Sequence, residues 1–300
     1  LRDVKYGISA TLTPSRNIEI KGSGWYFLND YVDNELVLRG SIIEVIAGSD
    51  CDAIRLRADV SELSGSSYPR QHAILRDFAI HGNRSASQAT TATDLNSAGN
   101  GILAQGTSYV QMENVLVLRC AEAGIATESY DYGDGNGSRS CNNFHFDRVF
   151  ALGNAGSGFS LFTGDSTFHN LVGGYNGLDG LNGNGQPVTA SRFWNNQRRG
   201  ISMSSSNDGG TISDCYCYDN KNAGIYLSSG DLHSIIGSKV FDNGAELSGV
   251  ASEECGIYIA PGVDEVLLDG CEIAPHGTTD QKRGIYSTNT GLVLRLGTNR

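Results

Sequence analysis

Four stretches of the chain, NAGSGF (154–159), NGLDGL (176–181), NQRRGI (196–201) and NKNAGI (220–225), repeat one phrase: an asparagine, three residues, a glycine and an apolar residue. Successive asparagines are 22, 20 and 24 residues apart. A period of this size marks a solenoid, in which each repeat buries its apolar side against its neighbours. Weaker copies extend the series on both sides, at Gly101-Ile102, Gly124-Ile125, Gly256-Ile257 and Gly284-Ile285. Asn243 opens a further corner whose glycine is delayed by an insertion.

After each glycine the residues alternate in polarity, as in Ile201-Ser202-Met203, Ile225-Tyr226-Leu227 and Ile257-Tyr258-Ile259. A period of two specifies strand. A second β-rich run follows in each repeat, at 144–152, 188–194, 211–218 and 232–241, and only turns separate the two runs. No crossover helix fits between them. The sequence therefore predicts an all-β parallel β-helix with coils about 4.8 Å apart. The corner asparagine is expected to take left-handed backbone angles and to stack as an amide ladder, and the glycine to give the turn its freedom.

The 39 glycines, 18% charged residues and 39% hydrophobic residues fit one elongated domain over residues 1–300, with less regular coils over 1–50. A net charge of −11 excludes a nucleic-acid backbone as partner, and a polyanion would be repelled unless a local cation neutralised it. No apolar stretch reaches the roughly 20 residues of a membrane span, so membrane insertion is not expected. None of the seven cysteines forms a C-x-x-C pair, and Cys215 and Cys217 share one face of a strand. Buried free thiols are the expected state.

Insertions mark where a solenoid carries function. They fall at 57–71 and 128–140 after the glycine-led strand, and at 84–99, 244–254 and 274–282 in the asparagine corner, walling the glycine-led face into a long trough. A linear polymer suits such a trough. Its floor is predicted to present Ala126, Ser160, Asn182, Ser202, Tyr226, Tyr258 and Tyr286, followed two residues on by Glu128, Phe162, Asn184, Ser204 and Ser228. Amides and hydroxyls can bond sugar hydroxyls, and aromatic faces can pack on sugar rings. Glu128, Asn182, Asn184, Arg198, Tyr226 and Tyr258 are the candidate substrate-binding residues.

For chemistry, Asp165, Asp208, Asp231 and Asp264 recur seven or eight residues after the glycine and are expected to form a column. On strand spacing, Asp208 and Asp231 would stand near 5 Å apart and Asp165 and Asp208 near 10 Å. The first distance suits a retaining glycosidase and the second is at the upper limit for an inverting one. Each equally fits a turn aspartate. Asp179 and Arg199 occupy one position in adjacent coils, with Arg198 beside them. An arginine there could neutralise a uronate or sialate carboxylate and act in a lyase step, or form an ordinary ion pair. His145 and His169, without metal-ligand spacing, read as structural. No cofactor or metal is expected beyond a candidate calcium ion in the Asp131 to Asp134 loop, which lacks the terminal bidentate glutamate of an EF-hand.

The repeated Asn-x-x-x-Gly-Ile corners, with the segment ILRDFAIHGN (74–83) followed by Asn100-Gly-Ile102, resemble the pectate-lyase-like superfamily of right-handed β-helices over most of the chain. That family includes polysaccharide lyases, hydrolases, epimerases, fructan-cleaving transferases and bacteriophage tailspikes, so the resemblance specifies a fold and leaves activity open. The Asn-Thr-Asp, Asp-Asp, Gly-His-Gly and Arg-Ile-Lys set of polygalacturonase-like hydrolases is absent, as is the Tyr-Gly-Phe-Asp-Pro-His of alginate epimerases. The resemblance implies a polysaccharide-binding and polysaccharide-cleaving protein, extracellular or on a virion surface, with a homotrimer as in tailspikes. The alternative it carries is a non-catalytic spike that recognises a cell-surface glycan. Leu1 and Arg300 both fall mid-pattern, as expected for part of a longer chain.

Overall fold

A computed structural model describes the chain except residues 1–3, 15–16, 31–34, 58–69, 84–96, 134–136, 205–208, 245–253, 276–280 and 298–300. The described elements are strands and turns, with no helix among them. A 25-stranded sheet winds around one core, and its pairings are parallel apart from the hairpin of Trp25–Asp30 with Glu35–Val45. Register is strict on the glycine-led face, where Phe159, Leu181, Ile201, Ile225, Ile257 and Ile285 occupy one position in successive coils. Like stacks on like, and the first five are fully buried.

Each coil contributes to three sheets, where the sequence pattern suggested two runs. The long run bends at a single left-handed residue, within one continuous strand in the earlier coils and between two short strands at Ala190 and Asp214. Cys141–Leu152 passes through Arg148 at φ 53°, and Asp77, Asn114, Asn170, Ala190 and Asp214 hold the same conformation in neighbouring coils, at φ between 51° and 59°. We name the glycine-led face the first sheet, the run before this bend the second and the run after it the third. Another left-handed column, Tyr109, Asn143, Asp165 and Gly185, turns the first sheet into the second.

At the corner from third sheet to first, the expected roles of asparagine and glycine change. The left-handed residue is the one before the asparagine: Gly153, Tyr175, Asn195, Asp219 and Asp242 have φ between 51° and 63°. That kink frees the following asparagine to turn its side chain inward. Asn154, Asn176, Asn196, Asn220 and Asn243 are buried, and each Nδ2 donates to the next Oδ1, at 3.0, 3.0, 2.9 and 2.9 Å. Each backbone N–H bonds the same oxygen, and Nδ2 also reaches a third-sheet carbonyl such as Gly173 O. The glycine is needed for close approach and not for a special φ. A Cβ on Gly180 would stand 2.7 Å from Gly200 O and 2.8 Å from Asn196 Nδ2.

The other inward positions follow the same economy of space. All seven cysteines are free thiols, six of them buried, with Cys215 and Cys217 both facing inward. Burial pushes the Cys215 thiol up to about 12 and the Cys141 thiol to about 11, which keeps both protonated. The N-terminal coils carry an antiparallel hairpin, Trp25–Asp30 with Glu35–Val45. There the hairpin covers the outer side of the third sheet, with Trp25 edge-on to Phe150 at 5.0 Å and its Nε1–H donating to Asn114 O.

Two histidines are held neutral by this packing. His233 is fully buried; Gly210 N–H donates to its Nδ1 at 3.2 Å, so the proton sits on Nε2, which donates to Ser229 O at 2.9 Å. Burial lowers its pKa. His81 accepts from Asn83 N–H, and burial, then the Arg119 charge, lower its pKa to about 4.

Replacing Asn196 by alanine removes the partners of Gly173 O and Asn176 N–H inside the core. Leaving such groups unpaired costs about 1–3 kcal/mol each, so Asn196→Ala should destabilise the fold by about 3 kcal/mol or more in urea unfolding. The histidine pKa values lie below the ordinary 6.5, so the unfolded chain binds more protons. Their contribution to stability is complete above pH 6.5 and falls as pH drops toward about 4. Thermal melts across that window should show the decline, and a His81→Gln, His233→Gln chain should show a shallower one.

Candidate functional site

An open cleft of about 440 Å³ lies across the first sheet and its asparagine corner. Its depth follows from side-chain size. The outward row runs Leu103, Ala126, Ser160, Asn182, Ser202, Tyr226, Tyr258, Tyr286, and the depression falls where the row is smallest, at Ala126 and Ser160. At the corner, Glu122, Gly156, Leu178 and Arg198 lie two residues past the inward residue of successive coils, and Gly156 opens the gap between Glu122 and Leu178.

Polar groups line this depression from three sides. Glu128 accepts from Gln105 Nε2 at 3.1 Å, and Glu122 from Asn100 Nδ2 at 3.0 Å. Asn100 is itself fixed by Asp52 Oδ1 at 3.1 Å. On the remaining side Arg198 donates through Nε to Asp179 Oδ1 at 2.7 Å and through Nη2 to Oδ2. Asp179 is 0% exposed and also accepts from Arg199 N–H at 3.2 Å. Both of its oxygens are therefore engaged, and the pair fixes the direction of the Arg198 side chain.

Of the candidate site residues, Glu128, Asn182 and Arg198 come together in the cleft, along with Ala126 and Ser160 of the predicted floor. The Arg199 guanidinium lies 3.4 Å above the Tyr226 ring, in the next coil, with Nη1 donating to Ser202 Oγ at 3.5 Å. Tyr226 in turn stacks on Tyr258 at 4.9 Å, which packs on Tyr286 at 5.7 Å. The faces of Tyr226 are thus covered by Arg199 and Tyr258. This row therefore offers ring edges and hydroxyls, where the sequence suggests ring faces. Asn184 ties two coils together, its Oδ1 accepting from Thr163 N–H at 2.9 Å.

The aspartate column divides. Asp165 is exposed at φ 44° in the left-handed row with Tyr109, Asn143 and Gly185, so its position is that of a turn residue. Asp231 and Asp264 are exposed and neighbour each other, between the pairs Gly230↔Val263 and Leu232↔Glu265. Asp208 lies outside the described residues, as do most of the predicted trough walls. Within the 128–140 wall, Tyr130–Asp131 pairs with Ser138–Arg139 as a short hairpin. Asp131 Oδ1 accepts from Gly133 N–H at 2.8 Å, capping its own turn, and Asp134 is outside the described residues. Among the described residues no three His, Cys, Asp or Glu side chains form a metal cluster. His169 bonds Asp147 at 2.9 Å and His145 bonds Thr167, both on the outer side of the second sheet.

Sequence reading missed Glu122 and Asn100. In the corner CAEAG (120–124) a cysteine replaces the asparagine, which hides the phrase. The equal spacing from Cys120 to Gly124 is the signal that could have found it.

The chain is a right-handed parallel β-helix. Residues 165–273 match the family described as right handed beta helix region. Among solved structures it is similar to the A-module of the Azotobacter vinelandii mannuronan C-5 epimerase AlgE4, at 14% identity and a TM-score of 0.64, covering 98% of this chain and 85% of that one. A periplasmic alginate epimerase, AlgG, is similar at 7% identity and TM-score 0.56, with 99% and 78% covered. So is the enzymatically active domain of bacteriophage CBA120 tailspike protein 2, at 14% and 0.55, with 97% and 43% covered. No curated protein matches the sequence. At these identities the likeness establishes the fold. Among the described residues no helix is long and apolar enough to cross a membrane.

Removing Arg198 leaves the buried Asp179 carboxylate with only the Arg199 amide. Breaking a buried pair costs about 3–5 kcal/mol, and the partly exposed arginine places Arg198→Ala near the lower end, about 3 kcal/mol in chemical unfolding. Arg198→Lys, lacking the planar fork, should recover less than half of that.

Proposed function

We propose that the first sheet binds a polysaccharide laid along the solenoid axis and that the protein cleaves it, as a depolymerase acting extracellularly or on a virion surface. The observation that carries this reading is the cleft itself: an open depression with a floor of Ala126, Ser157 and Ser160, flanked by Asn182, Arg198, Glu122 and Glu128. Hydroxyls and amides can pair with the hydroxyls of a sugar chain. South of Asn182 in chain order, the Tyr226 and Tyr258 hydroxyls extend the surface for a longer polymer. Glu122 and Glu128 are the carboxylates lining the cleft, and in this reading they serve as general acid and base. The similar solved structures support the reading, being alginate epimerases and an enzymatically active tailspike domain on this fold. A homotrimer, as the tailspike resemblance implies, belongs to the same proposal.

One observation favours the second reading, a non-catalytic spike that holds a surface glycan. Asp179 is locked to Arg198 and Asp165 sits in a turn, so two of the aspartates first considered for chemistry have structural positions.

The test is incubation with neutral, uronate-containing and sialylated polysaccharides, reading new reducing ends together with ultraviolet absorbance from a new C=C bond. Reducing ends alone mean hydrolysis, and both signals mean a lyase. Glu128→Gln should abolish cleavage while binding persists, and Asn182→Ala should weaken binding about tenfold, the equivalent of about 1.4 kcal/mol. Binding without either signal establishes the spike reading. Absence of binding to every polymer overturns both.

A further inference from the structure

Charge within the cleft discriminates between classes of polysaccharide, on the premise that the site binds one. A chain of uronates or sialates carries a carboxylate on every acidic sugar and needs a cation where it docks. Arg198 is the one guanidinium lining the depression among the described residues. Its charge is already matched by Asp179, which is fully buried and engaged by both Nε and Nη2. Together the two side chains are neutral.

What remains in the cleft is Glu122 and Glu128, both exposed. Each takes a hydrogen bond from a neutral amide, Asn100 and Gln105 respectively, which orients the carboxylate without cancelling its charge. The surrounding protein adds to this field, with a net charge of −11. Arg199, the other arginine of the corner, lies over Tyr226 in the next coil and does not line the cleft. We infer that the ligand of this site is an uncharged polysaccharide, and that Glu122 and Glu128 select against acidic ones by repulsion. Selection by like charge is a common route to specificity.

The experiment measures binding of the full chain to dextran, a mixed-linkage β-glucan and galactomannan as neutral probes, and to alginate, polygalacturonate and polysialic acid as acidic probes. Each is run at about 20 and about 200 mM salt, spanning the change from weak to strong screening. At least one neutral polymer should bind with an affinity that changes less than about twofold with salt. The acidic polymers should bind at least about tenfold more weakly at low salt. A Glu122→Gln, Glu128→Gln chain, whose exposed substitutions should leave its melting temperature unchanged, should gain about tenfold for the acidic polymers at low salt. Tighter binding of an acidic polymer that weakens as salt rises would overturn the inference while leaving the polysaccharide reading intact. If no polymer of either kind binds, the polysaccharide reading falls and the inference with it.

Discussion

A line of buried amides decides where each coil must sit on the next. Asn154, Asn176, Asn196, Asn220 and Asn243 each present an oxygen to the coil before and an N–H to the coil after, and all of these atoms are cut off from water. A slip of one residue would orphan several of them together, and an unpaired buried amide is costly. Hydrophobic stacking alone would accept Phe159 over Leu181 in several offsets. The amides accept one.

That constraint also shapes the cleft. Because the asparagine is pinned inside and the glycine is pressed against the next coil's carbonyl, the first two residues between them turn outward over the edge of the first sheet, while the third folds back and is buried at Ala123, Ser157, Asp179 and Ala223. Their identities are free to vary, and they do: Glu122, Gly156, Leu178 and Arg198 stand at one position and share nothing but that position. The cleft is a product of this freedom. Its floor is low where two coils carry small residues, and its rim is high where the neighbours carry long ones. The same corner buries Asp179 deeply enough to fix an arginine.

The repeat was legible because it is written in spacing, which survives any change in the residues between. The amide ladder and the inward thiols of Cys215 and Cys217 could be read for the same reason. Conformation at single residues could not. Left-handed angles fall mostly on Asn, Asp and Gly but also on Tyr175, Arg148 and Tyr109, residue types that seldom adopt them, so no single residue type marks the third sheet or the true kink before the ladder. Nor could pairing across coils be read from position alone. Asp179 and Arg199 align, yet the side chain of Arg198 reaches Asp179 and that of Arg199 leaves for a tyrosine ring. Cys120 in place of asparagine hid one whole wall of the cleft, because the packing tolerates a small apolar residue where the pattern demands an amide.

The asparagine side chains all point the same way. Since the backbone N–H of each one also seeks the neighbouring oxygen, no amide can be turned over without losing both bonds. Strand dipoles largely cancel within a sheet, but these side-chain dipoles add, and hydrogen bonds in a chain polarise one another. The solenoid therefore has an electrical direction independent of its charged residues: its carbonyl end faces the first coils and its N–H end faces the last.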